Sequence, residues 1–322
     1  MCRVVTDINF QGTSKNLLIE NAYGTSKGNA KNAKGISFGI KVYTDQFGFR
    51  GPKNAVILPD NYKSAILILG DSVGFGVALE EDETVAGLLR TNFPETKIYN
   101  SSVIGYRACD YKNVLDVFLP LHKEIKHVYL LFCLNDLNVK SAKFGEKKHI
   151  VLPKNAGFFE KFIILLKENS VISKINAFLR ARSKLYILLR VMLTDPQYRY
   201  WNADYQLYSK DDKLDFSKNI QPIVEINDYL KSKKVTFTVI VMPYEYQLRN
   251  DDEKLKLPQQ GLSRFFRDKG VHYIDAMPEF RDSGIASKNL YLPYDPMHFS
   301  KKGNEILFDI MERDMKKKKN SI

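Results

Sequence analysis

From residue 65 onward, apolar residues fall in short, nearly unbroken runs, separated by stretches in which they recur every three to four positions. The runs at 65–69, 97–100, 127–133, 236–242 and 271–275 are rich in Val, Ile, Leu and aromatic side chains. A continuous apolar run of strand length fits a strand covered on both faces. Helical periodicity fills the intervals. Helices are expected from near Glu83, from near Asp110, over 219–231, over 261–269 and after His298. Strand and helix in alternation predict an α/β fold: a three-layer α/β/α sandwich with a mostly parallel sheet of about five strands.

The flanks of this pattern read differently. Residues 1–62 are expected to form an arm packing on the body, and 24–35 (Gly, Asn, Lys and Ser in abundance) read as irregular. Residues 43–52 are turn-rich but aromatic, so they should pack. The main domain is expected over 63–322, interrupted by a helical insertion at 140–218 that caps the sheet's active edge. Three amphipathic faces mark that insertion: Phe158, Phe162, Leu165 and Leu166; Ile172, Ile175, Phe178 and Leu179; Leu185, Leu188, Leu189 and Met192. Its outer faces are basic (Lys161, Lys167, Arg180, Arg182, Arg190), which suits either a solvated subdomain or contact with a membrane surface. Residues 315–322 read as a basic tail.

Composition narrows the function classes. At 322 residues with 44% hydrophobic and 27% charged side chains, the chain can bury a large core, and disorder is not its default. The formal charge is +12, of which Lys316 to Lys319 supply four. A spread basic excess attracts anionic partners weakly. No nucleic-acid motif accompanies it, so nucleic acid is not an expected partner. Three cysteines (Cys2, Cys109, Cys133) form no C-x-x-C pair, and the latter two read as buried thiols. No signal core follows Met1, and no apolar run approaches about 18–20 residues. As written, the chain reads as soluble and cytoplasmic, with export open if the true start lies upstream. No metal-ligand spacing, phosphate loop or dinucleotide fingerprint is present, so neither metal nor cofactor is expected.

The chemistry lies at two places. Gly70-Asp71-Ser72 ends the first apolar run, and Asp295-Pro296-Met297-His298 precedes the last helix, with Ser300 as its N-cap candidate. A serine at a strand's end, starting a helix, can meet free backbone N–H groups that would bind a developing oxyanion. An Asp three residues before a His can hold Nδ1 and leave Nε2 as the base. Gly70-x-Ser72-x-Gly74 also fits the nucleophile elbow of α/β-hydrolases, but that fold places several strands before its serine.

On these residues the chain resembles the SGNH (GDSL-type) hydrolase superfamily, in the manner of bacterial esterases and O-acetyl-esterases. Four blocks occur in order: Gly70-Asp71-Ser72; Asn100-Ser101-Ser102-Val103-Ile104-Gly105; Cys133-Leu134-Asn135-Asp136; and Asp295-x-x-His298. Cys133 stands where the family carries glycine. Tyr43 to Pro52 is similar to a Gly-Phe-Arg-Gly segment found ahead of the first block in bacterial members. The resemblance implies a flavodoxin-like sheet and a serine esterase working through an acyl-serine. Ser72, Asp295 and His298 would be catalytic, and the oxyanion hole would come from Ser72 and Gly105 N–H and the Asn135 amide. The substrate would be a small-molecule or glycan ester, with Trp201, Tyr205 and Tyr208 available to stack on sugar rings. An O-acyltransferase acting on a glycan uses the same groups, and a non-catalytic glycan-binding module could keep the same fold. Asp71 and Asp136 are expected to cap rather than react.

Overall fold

A computed structural model of the chain describes residues 12–20, 22–25, 27–53, 62, 64–137, 195–209 and 216–319, with isolated positions between 175 and 189. Two short strands, β1 (Leu18–Glu20) and β2 (Lys27–Asn29), pair antiparallel. The remaining strands form one eight-stranded sheet. In chain order these are β3 (Lys34–Ser37), β4 (Ile40–Thr44), β5 (Arg50–Gly51), β6 (Ser64–Gly70), β7 (Thr96–Asn100), β8 (Ile125–Phe132), β9 (Thr236–Val241) and β10 (Tyr273–Asp275). Their spatial order is β10-β9-β8-β6-β7-β5-β4-β3.

The five strands expected from the apolar runs are β6 to β10, and all their pairings are parallel. Their order is flavodoxin-like. β6 lies at the centre with β7 on one side, and the chain then crosses to the other side for β8, β9 and β10. That reversal leaves a crevice at the carboxyl ends of the strands, where functional groups gather in open α/β sheets. Burial explains why these strands were legible: Leu67, Ile68, Val128, Leu130, Leu131, Val239 and Ile240 have no measurable exposure.

The arm is the main departure. Residues 24–35, expected to be irregular, hold β2 and the start of β3, and residues 34–51 add three antiparallel strands beyond β7, so the sheet is larger than five strands. β5 meets β7 at Arg50↔Asn100, β4 pairs with β5, and β3 pairs with β4. The edge of β7 would otherwise offer a row of unpaired backbone groups. The aromatic turn expected to pack does so: Phe49 lies edge-on to Phe118 at 4.7 Å and Phe47 to Tyr99 at 5.9 Å.

Helices cover both faces. They include α1 (Ser72–Phe75), α2 (Val85–Asn92), α3 (Ala108–Phe118), α4 (Pro196–Ser209), α5 (Phe216–Ser232), α6 (Leu257–Asp268) and α7 (Lys301–Lys319). α2 packs on α7, and α3 packs on α5. Crossovers between parallel strands are right-handed as a rule, and because β6–α2–β7 and β7–α3–β8 run in opposite directions along the sheet, that rule puts the two pairs on opposite faces. α3 shows the sequence logic: Ala108, Tyr111, Val114, Leu115 and Phe118 share one buried face.

The expected insertion falls mostly outside the described residues, including Phe158, Phe162, Leu165, Leu166, Lys161 and Lys167. Helix α4, the start of α5 and isolated positions between 175 and 189 are its described parts. The expected basic tail begins inside α7, whose last turn holds Lys316 to Lys319. Lysines there suit the negative end of the helix dipole, and Lys318 turns inward to Asp314 at 2.7 Å. Among the described residues, no helix is long and apolar enough to cross a membrane.

Candidate active site

β6 delivers Ser72 to the crevice. The Asp71 carboxylate accepts from Val73 N at 2.8 Å and so caps α1, whose first residue is Ser72. After a single turn the helix stops at Gly76, which has φ +76. A Cβ there would lie 2.6 Å from Thr84 Cγ2, so both the backbone and the space call for glycine. The turn is clamped from outside by Arg50, whose Nη1 donates to the carbonyls of Phe75 (2.6 Å) and Gly76 (2.5 Å), and whose Nη2 donates to Leu79 O (2.6 Å). Asn100, at the end of β7, donates to Gly74 O at 3.0 Å.

The turn before α7 delivers His298. Asp295 Oδ1 accepts the backbone N–H of Met297 (3.0 Å) and of His298 (2.8 Å), which curls residues 295–298 into a tight turn. Its other oxygen, Oδ2, accepts from the ring Nδ1 of His298 at 2.8 Å. That leaves Nε2 as the lone-pair nitrogen, and it stands 2.8 Å from Ser72 Oγ. Leu292 N donates to His298 O, and Ser300 N to Leu290 O, so the turn is tied at its base. Ser300 caps α7 as expected, with a long contact from Gly303 N at 3.4 Å.

The electrostatics follow from burial and charge. Burial opposes the imidazolium of His298, but the Asp295 charge and hydrogen bond, with the Asp71 charge behind them, outweigh it and raise the His298 pKa. Burial likewise pushes Asp295 up, yet the His298 charge and the two backbone donors win, and its carboxyl lies below the usual range. Asp71 is the reverse case. Burial dominates and raises it, although Val73 N, the His298 charge and hydrogen bonds from Ser72 and Asn135 favour the anion.

Of the other expected donors, Asn135 borders this corner. Asn135 sits in a short 3-10 turn (Leu134–Asp136) at the end of β8, and its Nδ2 is 3.8 Å from Met297 Sδ. Its buried Oδ1 has no hydrogen-bond partner. Asp136 holds the turn by accepting from Cys133 N at 3.0 Å, the capping role expected of it. Cys133 is buried and Cys109 half-buried. Gly105 lies on the loop after β7 with φ +77, and that loop is tied to β6 by Val103 N donating to Gly70 O at 3.2 Å.

Trp201 does not face solvent. It is 5% exposed, stacked on Tyr205 at 4.5 Å and packed near Tyr246. The Tyr208 hydroxyl donates to Leu134 O at 2.8 Å. Tyr208 thereby braces the Asn135 turn. Two residues escaped the sequence reading as functional candidates. Arg50 had a signal, the Gly-Phe-Arg-Gly segment, but no visible target. Lys27, beside Gly105, had none. Among the described residues, no group of three His, Cys, Asp or Glu side chains could hold a metal ion.

The fold and site thus define a class: a doubly wound sheet carrying a Ser–His–Asp hydrogen-bonded chain at its carboxyl edge. Solved structures similar to this chain include a lipase/acylhydrolase from Enterococcus faecalis, at 14% identity over 79% of this chain and 96% of that one, TM-score 0.44. A catalytic mutant of an acetylxylan esterase from Geobacillus stearothermophilus is 14% identical over 78% and 93%, TM-score 0.42. A member of the lipolytic G-D-S-L family from Veillonella parvula DSM 2008 is 10% identical over 76% and 94%, TM-score 0.40. Likenesses of this degree fix neither an activity nor a substrate for the present chain. No family model matches the sequence. No curated protein matches it either.

Proposed function

We propose that the protein is a serine esterase of the SGNH type, cleaving an O-acyl ester of a carbohydrate or small molecule through an acyl-serine. The observation that carries this reading is the continuous chain from Ser72 Oγ through both ring nitrogens of His298 to Asp295, with each link at 2.8 Å. A serine hydroxyl is a weak nucleophile until a base is positioned to take its proton, and a base within hydrogen-bond reach meets that need.

In this scheme Ser72 Oγ attacks the ester carbonyl carbon while its proton passes to His298 Nε2. The carbonyl π electrons move to oxygen. The resulting oxyanion is held by Ser72 N–H, Gly105 N–H and the Asn135 amide. The tetrahedral species then collapses, the C–O bond to the alcohol breaks, and the alcohol departs with the proton from Nε2. Water repeats the sequence on the acyl-serine and releases the acid. Asp295 stays ionised and steadies the imidazolium.

Labelling with a fluorophosphonate probe, followed by peptide mapping, tests the reading together with p-nitrophenyl acetate hydrolysis. Modification of Ser72, abolished with turnover in Ser72→Ala, is the expected result. Labelling elsewhere, or none, would overturn it.

A further inference from the structure

The arm does more than extend the sheet. Residues 22–29 lie on the loop that carries Gly105. Asn29 Nδ2 donates to Ser102 O at 3.3 Å, the hydroxyls of Thr25 and Tyr106 are 3.1 Å apart, and Asn113 Nδ2 donates to Gly24 O at 3.3 Å. Thr25, Asn29, Ser102 and Tyr106 are all buried, so this is a built contact. It aims Lys27, on β2, at Gly105: a Cβ added to that glycine would stand 2.7 Å from Lys27 Nζ.

Lys27 is half-buried, and its ammonium has no hydrogen-bond acceptor or ion pair recorded among the described residues. Asp110 is near enough to feel its charge, but one Asp110 oxygen already accepts from Arg107 N at 2.9 Å. A lysine can lay its stem along the protein while its ammonium stays able to pair with an anion. Its place, beside a backbone donor assigned above to the oxyanion hole, suggests that the partner arrives with the substrate.

We propose that Lys27 is a specificity-determining residue and that the substrate is an anionic ester, carrying a carboxylate on its acid or alcohol half that pairs with the Lys27 ammonium. This rests on the esterase reading and deepens it. Arms of the same experiment separate the two halves. p-Nitrophenyl hemisuccinate places the carboxylate on the acyl side, 4-acetoxybenzoate places it on the alcohol side, and p-nitrophenyl butyrate and phenyl acetate are the neutral counterparts.

Wild type should prefer at least one anionic ester over its neutral counterpart. Lys27→Met keeps the stem over Gly105 and removes the charge, so kcat/KM for that ester should fall about tenfold to a hundredfold. The neutral esters should stay within about threefold, and Lys27→Arg should recover most of the loss. Fluorophosphonate labelling of Ser72 in Lys27→Met should keep the wild-type rate. If neutral and anionic esters lose equally in Lys27→Met, or neither loses, Lys27 is packing or bystander and the inference fails while the esterase reading stands. Failure to label Ser72 in the wild type sinks the esterase reading first and the inference with it.

Discussion

Arg50 Nε donates to Glu81 Oε2 at 3.0 Å, and this ion pair joins strand β5 to the segment that follows the Ser72 turn. Arg50 is 1% exposed, and its remaining nitrogens satisfy carbonyls of Phe75, Gly76 and Leu79. Glu81 is also held by Arg90. A buried guanidinium is tolerable because its donors find acceptors in a fixed fork geometry.

Removing that clamp should be expensive. Arg50→Met strands the three carbonyls and half of Glu81's pairing, so unfolding free energy should drop by about 3–5 kcal/mol. Urea titration measures it. Ser72 labelling should slow as well, because the turn behind the serine loses its outer support. A variant as stable as wild type would show that the clamp is ornamental.

His298 must be neutral to accept the serine proton. Its folded pKa is raised above the ordinary 6.5 by Asp295 despite burial. The acid limb of kcat/KM should therefore have its midpoint above 6.5, with activity lost as pH falls through it. Asp295→Asn removes the charge that raises this pKa and permits the wrong tautomer. It should move the limb to lower pH and reduce kcat by about 10⁴-fold. A pH–rate profile on both proteins checks each part.

Asn135→Ala should cost about 100- to 1000-fold in kcat, with a smaller change in KM, because an oxyanion donor acts on charge that develops only in the transition state. Steady-state kinetics on a nitrophenyl ester decides it. A loss confined to KM would place Asn135 in substrate binding instead.

At the opposite end of the sheet, His127 packs between Thr236 Oγ1 (2.8 Å) and Thr238 Oγ1 (3.0 Å). Lys318, Asp314 and His272 face the same cluster. Burial, then the Lys318 charge, lowers the His127 pKa from 6.5 to about 3, against the pull of Asp314. Between those values the unfolded chain holds the extra proton, so stability rises with pH. From pH 7 down to pH 5 this group alone should remove about 2 kcal/mol. Asp314 has a depressed pKa, so its contribution is lost only at pH values below the ordinary carboxylate range. Urea unfolding of wild type and His127→Gln at pH 7 and 5 should show the smaller pH sensitivity in the variant.

Legibility tracked burial and chemistry. β6 (Ser64–Gly70) and β8 (Ile125–Phe132) were visible because both faces are covered over most of their length, with Ser64, Lys126 and His127 confined to the strand starts. β3 (Lys34–Ser37) and β4 (Ile40–Thr44) showed no strand pattern because their exposed and buried positions mix with Gly and Lys. Their pairing depends on the open edge of β7, which no local pattern announces. Trp201 looked available for a sugar, yet packing against Tyr205 and Tyr246 claimed it.

Ser72, Asp295 and His298 could be singled out as a candidate site because their residue types and short-range spacing suit such chemistry, and strand and helix periods are local properties. Only the tertiary structure brought a serine and a histidine 226 positions apart to 2.8 Å. It alone set Arg50 behind the serine turn and Lys27 beside Gly105. Those contacts depend on how long-range packing orients whole elements, and no window of sequence contains both partners.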